Sequence, residues 1–146
     1  MEKSIVLKEK MRELFGLEEQ DLRTYSPLTL AYLGDAVFEL VVRTVLVERA
    51  NMQAEKLHKA AIKIVKAETQ ALMIEAVKED LTEEELSVFK RGRNAKAVTR
   101  AKNASMSAYR RATGFEALMG YLYLKGDMER MLELIHLGIE RTEVTL

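Results

Sequence analysis

Cysteine is absent from this 146-residue chain, which excludes a disulfide framework and a thiolate metal site. Proline occurs once and strand-like alternation is scarce, so the chain reads as helix nearly throughout. No stretch approaches the roughly 20 apolar residues of a membrane span. The first apolar run, Ile5-Val6-Leu7, is too short for a secretory leader. These absences suit a cytoplasmic protein. The two histidines, His58 and His136, share no metal-ligand spacing, and no histidine-base arrangement activates a serine or threonine nucleophile. Net charge is missing too, with 23 basic residues against 23 acidic ones.

That neutrality is an average over two unlike parts. Between Lys90 and Arg111 the chain carries Lys90, Arg91, Arg93, Lys96, Arg100, Lys102, Arg110 and Arg111, with no acidic residue among them. The other 15 basic residues face all 23 acidic ones, a formal charge of −8. Segregated charge of this kind points to an anionic partner, and arginine's planar fork suits phosphate.

The helical pattern divides at recognisable signals. Met11, Leu14 and Phe15 form a short amphipathic stripe. Ser26-Pro27 is a helix start, with serine as N-cap and proline in the first turn. The segment that follows, to about Glu48, is apolar nearly all round, as befits a central helix or one facing another chain. Leu57, Ala61, Ile64, Val65, Ala67, Ala71 and Leu72 predict a helix from about Gln53 to Lys78. Thr82 and Glu85 form a capping box opening another helix to about Lys90. Residues 91–106 read as a basic loop. A further helix is expected from near Tyr109 to Lys125, and Gly126-Asp127 supplies a stop and a new N-cap. The last helix carries Met131, Leu134, Ile135 and Ile139. One domain spans residues 1–146, with residues 1–25 as a helical extension. The methionines read as core filler, and Tyr25, Tyr109, Tyr121 and Tyr123 as packing residues.

Two acids interrupt the most apolar stretches: Asp35, in Tyr32-Leu33-Gly34-Asp35-Ala36, and Glu116, in Gly114-Phe115-Glu116-Ala117-Leu118. Withdrawing a carboxylate from water costs several kcal/mol unless something pairs with it. Ala31, Gly34 and Ala36 on one helix and Ala117 and Gly120 on the other leave room for close backbone approach. Such packing would unite the two acids. Magnesium is commonly held by one or two carboxylates plus substrate phosphates, so the pair meets the minimum for such a site. Two salt-bridged structural acids are the alternative.

Leu33-Gly34-Asp35-Ala36 resembles the signature helix of ribonuclease III. Glu116-Ala117-Leu118-Met119-Gly120 resembles that family's second acidic motif. Arg91-Gly92-Arg93-Asn94-Ala95-Lys96 and Thr113-Gly114-Phe115-Glu116 are similar to Mini-III ribonucleases, which consist of the catalytic domain alone. The likeness covers roughly residues 27–137. It implies an all-α, homodimeric helical bundle that cuts double-stranded RNA and leaves 5′-phosphate and 3′-hydroxyl ends. It implies Asp35 and Glu116 as catalytic ligands of one or two magnesium ions per subunit, with manganese able to substitute. Maturation of precursor large-subunit (23S) ribosomal RNA is the implied task, with a large-subunit ribosomal protein as a possible presenter of the substrate.

Ribonuclease III typically has further acids at the positions of Ala31 and Thr113, so half of that carboxylate set is missing. One well-held ion and a second that depends on RNA phosphates are therefore expected. Glu39, one turn beyond Asp35, and Thr113 are candidate outer contacts. With no double-stranded RNA-binding domain after the last helix, RNA contact falls to residues 91–106 and their flanks: Lys90, Arg91, Arg93, Asn94, Lys96, Arg100, Lys102, Arg110 and Arg111, with Thr99 a further polar candidate. Two other readings stand beside this one. One is a non-catalytic RNA-binding or ribosome-assembly module on the same fold; the other is a helical partner-binding dimer.

Overall fold

The computed structural model describes residues 2–96, 105–144 and 146, and side chains from residue 7 onward within them. The described residues form seven α-helices and no strand: α1 (Glu2–Phe15), α2 (Pro27–Arg49), α3 (Ala54–Val65), α4 (Ala67–Val77), α5 (Glu83–Asn94), α6 (Met106–Lys125) and α7 (Met128–Thr142). Single 3-10 turns lie at Leu22–Thr24 and Lys78–Asp80.

Local chemistry sets most of the boundaries. Ser26 Oγ accepts from the Thr29 N–H at 3.1 Å, and Pro27 opens α2. At α5, Thr82 and Glu85 exchange both bonds of the capping box, at 2.9 and 3.1 Å. Gly126 closes α6 at φ +85°, a backbone conformation that favours glycine, and Asp127 caps α7 through the Arg130 N–H at 3.2 Å.

Helix α6 is the centre of the molecule. It is buried on nearly every side and packs against α2, α4 and α5. Phe115 meets Phe38 of α2 edge to face, with ring centroids 5.1 Å apart. Leu118, Met119 and Leu122 complete the contact with Met73 and Ile74 of α4 and Leu134 of α7 in one core. Helix α2 divides lengthwise. Leu30, Val37, Phe38 and Val42 are buried, while Tyr32 is 84% and Leu40 62% exposed. Leu14 and Phe15 of the N-terminal stripe also lie on the surface. Helix α1 is tied to α6 through Lys8, whose ammonium donates to the carbonyls of Tyr123 and Leu124.

Three expected boundaries are corrected. The helix predicted over 53–78 is two helices, broken at Lys66, whose backbone is extended. Side chains take over carbonyls freed by the break: Thr69 Oγ1 donates to Lys63 O and Gln70 Nε2 to Val65 O, each at 2.7 Å. Helix α5 runs on to Asn94, so Arg91, Arg93 and Asn94 are helical and not part of a loop. Its last turn carries Arg91 and Arg93, cations that complement the helix dipole. Helix α6 begins at Met106, earlier than expected, because Ser105 Oγ accepts from the Ala108 N–H at 3.0 Å. Thr99, Arg100 and Lys102 lie outside the described residues.

Candidate functional site

Small residues bring the two acidic motifs into contact. A β-carbon on Gly34 would overlap the Glu116 carbonyl oxygen and sit 2.7 Å from the Gly120 nitrogen. One on Gly120 would overlap the Leu30 carbonyl. The backbones of α2 and α6 therefore touch where their acids project. Asp35 and Glu116, far apart in sequence, meet side chain to side chain.

The two acids have different surroundings. Asp35 is exposed, which corrects the expectation that both carboxylates are withdrawn from water. Glu116 is partly buried. Burial, followed by the neighbouring Asp35 charge, pushes its carboxyl up to about 8, although a hydrogen bond from Gln70 works in the other direction. Gln70 Nε2 lies 3.2 Å from Glu116 Oε2. Two carboxylates in contact are relieved by a shared proton or by a cation.

The remaining positions near the acids are occupied otherwise. Ala31 is buried. Thr113 is buried and donates its hydroxyl to the Tyr109 carbonyl at 2.9 Å, within its own helix. Glu39 is ion-paired with Arg43 one turn further along α2. Among the described residues, no three acidic or histidine side chains form a metal-holding group. The donor set is thus two carboxylates, the number that magnesium commonly takes from a protein.

Basic side chains gather at the end of α5 and the start of α6. Lys90, Arg91 and Asn94 line an open groove of about 730 Å³ with Pro27 and Ser87. Arg91 also reaches the Tyr25 carbonyl at 3.4 Å. Arg93 stacks its guanidinium 5.6 Å from the centre of the Phe89 ring and donates to Asn94 Oδ1 at 3.1 Å. Lys96 and Arg110 are exposed, and Arg111 donates to the Ser107 carbonyl at 3.4 Å.

Residues 28–127 match the family model described as the Ribonuclease III domain. The chain is 48% identical over 137 residues to Mini-ribonuclease 3 of Clostridium tetani, a match covering 91% of each chain. It is 43% identical over 143 residues to Mini-ribonuclease 3 of Thermoanaerobacter sp., covering 98% of this chain and 99% of that one. A crystal structure of a Fusobacterium nucleatum protein superimposes with a TM-score of 0.75 at 33% identity, over 83% of this chain and 97% of that one. The chain belongs to the ribonuclease III family, in its Mini-ribonuclease 3 branch.

It is therefore an endoribonuclease with an all-α fold. In this ribonuclease the two expected outer contacts have partners of their own: Glu39 is ion-paired with Arg43, and Thr113 bonds within its own helix. Gln70 was not among the residues singled out from sequence, yet its amide touches Glu116. The available signal was a polar residue set against the apolar run Ala71-Leu72-Met73-Ile74.

Proposed function

We propose that this ribonuclease cleaves double-stranded RNA as a magnesium-dependent homodimer, with manganese able to substitute, and leaves 5′-phosphate and 3′-hydroxyl ends. The observation that carries the reading is the meeting of Asp35 and Glu116 across the glycine contact of α2 and α6. Magnesium at this pair would neutralise charge on the phosphoryl oxygens and make water a better nucleophile. Asp35, being exposed, is open to a duplex. Glu116 is steadied by the Gln70 amide. Arg91, Arg110, Lys90 and Lys96 present cations to the phosphates, and A-form RNA is bound mainly through phosphates, 2′-hydroxyls and groove shape. Arg93, Asn94 and Arg111 complete this face; Arg100 and Lys102, the other basic residues of the stretch, lie outside the described residues.

A second copy of the chain covers exposed apolar residues of α2, among them Tyr32 and Leu40, and leaves Asp35 open to the duplex. The substrate is a base-paired stem of precursor 23S ribosomal RNA, presented with the help of a large-subunit ribosomal protein. This reading is what the resemblance to Mini-III ribonucleases implies. The setting is the cytoplasm; no helix among the described residues is long and apolar enough to cross a membrane.

The test is incubation of the purified protein with long duplex RNA, with magnesium or with chelator, followed by mapping of the ends. Fragmentation only with magnesium is expected. Asp35→Asn should lower kcat by about 10³-fold, several kcal/mol of lost stabilisation, while duplex binding stays within about twofold. Cleavage by Asp35→Asn at the parental rate overturns the assignment. RNA binding without new ends under every condition favours a non-catalytic ribosome-assembly module instead. Sedimentation should give twice the 16.7 kDa chain mass; a monomer at micromolar concentration removes the dimer from the proposal.

A further inference from the structure

Gln70 opens the second turn of α4 and is 1% exposed. A buried primary amide is costly unless its two N–H groups and its carbonyl find partners. Here Nε2 makes two contacts, to Val65 O at 2.7 Å and to Glu116 Oε2 at 3.2 Å. The Val65 carbonyl can only accept, so the nitrogen and not the oxygen of the amide must face it. The amide's orientation is determined by its neighbours. The same arrangement leaves Gln70 Oε1 buried with no donor, the one such side-chain atom among the described residues. An orphan acceptor is costly, and its presence in a folded protein calls for a reason.

The break between α3 and α4 makes this arrangement possible. A continuous helix would use the Val65 carbonyl internally. With Lys66 extended, that carbonyl becomes a second anchor for the Gln70 side chain. One end of the amide is thereby fixed to backbone, and the N–H left over is aimed at Glu116. Ala31 and Thr113 supply no carboxylate near the acids, so a neutral donor at Glu116 adds orientation without adding charge.

We infer that Gln70 is a positioning residue of the catalytic site: its N–H holds the Glu116 carboxylate in the orientation that receives the divalent cation, and its free Oε1 accepts a hydrogen bond from water at the site. This inference rests on Asp35 and Glu116 holding that cation. Gln70 touches neither substrate nor cation; it acts through Glu116. Outer groups of this kind typically alter metal affinity 10–100-fold when removed.

The experiment is calorimetric titration of the metal-free full-length protein with manganese chloride alone, beside the magnesium dependence of cleavage. Gln70→Met keeps an unbranched chain of similar length without the amide. Gln70→Asn keeps the amide but shortens its reach. Each variant should bind manganese about tenfold more weakly and need about tenfold more magnesium for half-maximal cleavage. KM for duplex should stay unchanged, and kcat should recover at high magnesium. Parental cation affinity in either folded variant, with only a lower Tm, overturns the inference and leaves Gln70 as an anchor for the Val65 carbonyl. Failure of both variants to fold overturns it in favour of a core role. Asp35→Asn separates the two readings: if the parental protein binds no cation, or Asp35→Asn binds it equally well, the site assignment itself falls.

Discussion

Glu116 carries a conflict that only a proton or a cation resolves. Burial and the adjacent Asp35 charge raise its carboxyl to about 8, from a usual value near 4.5. In metal-free protein the folded state therefore holds a proton that the unfolded state releases at lower pH. Its contribution to stability is complete below about 4.5 and is lost as pH rises toward 8. Glu116→Gln removes that dependence. In chelator its Tm should match the parental value near pH 5 and exceed it at pH 8.5 by about 3 °C or more, as read by thermal denaturation. Added magnesium should return the parental protein toward the variant. A parental Tm that follows the variant's across this range would show that Glu116 is not strained. The acid itself was legible as a charge in an apolar run. Its partner Gln70 showed only as a polar residue beside an apolar run, and nothing local marks a glutamine as reaching another helix.

At the scale of elements, the site depends on how closely α2 and α6 approach. The glycines at 34 and 120 remove the side-chain layer between them, and this contact sets the separation of the acids. In Gly34→Ala the new methyl meets backbone, which cannot yield as a side-chain tip does. Denaturant unfolding should show a loss of about 2 kcal/mol or more, and cation affinity should fall with it because Asp35 moves away from Glu116. Parental stability would mean that the helices have slack. The close approach was readable from Ala31, Gly34, Ala117 and Gly120. The break at Lys66 was not: apolar spacing continues from Leu57 to Leu72 as though one helix ran through. The competing bonds from Thr69 and Gln70 are a matter of side-chain reach, not of periodicity.

The molecule as a whole is neutral but electrically divided, with one continuous basic stretch and an acidic remainder. Binding of duplex should weaken steeply with salt as phosphate counterions are released. Arg91→Ala and Arg110→Ala should each flatten the plot of log affinity against log salt by about one unit, measured by filter binding. Unchanged slopes would make those arginines ordinary solvated surface. Charge segregation was plain in the sequence. The seating of part of it on α5 was not, since Arg91, Arg93 and Asn94 extend a helix whose pattern weakens after Lys90.

Caps, the turn at Gly126-Asp127, helical character and the segregation of charge were determined by the sequence itself, because each is decided within a few neighbouring residues. Burial and pairing were decided only by the tertiary structure. Asp35 is exposed although it meets Glu116 of α6. Glu116 is half-buried beside it, and an amide 46 positions earlier in the chain holds its carboxylate. Such contacts depend on where distant segments come to rest, a quantity set by the packing of the whole core.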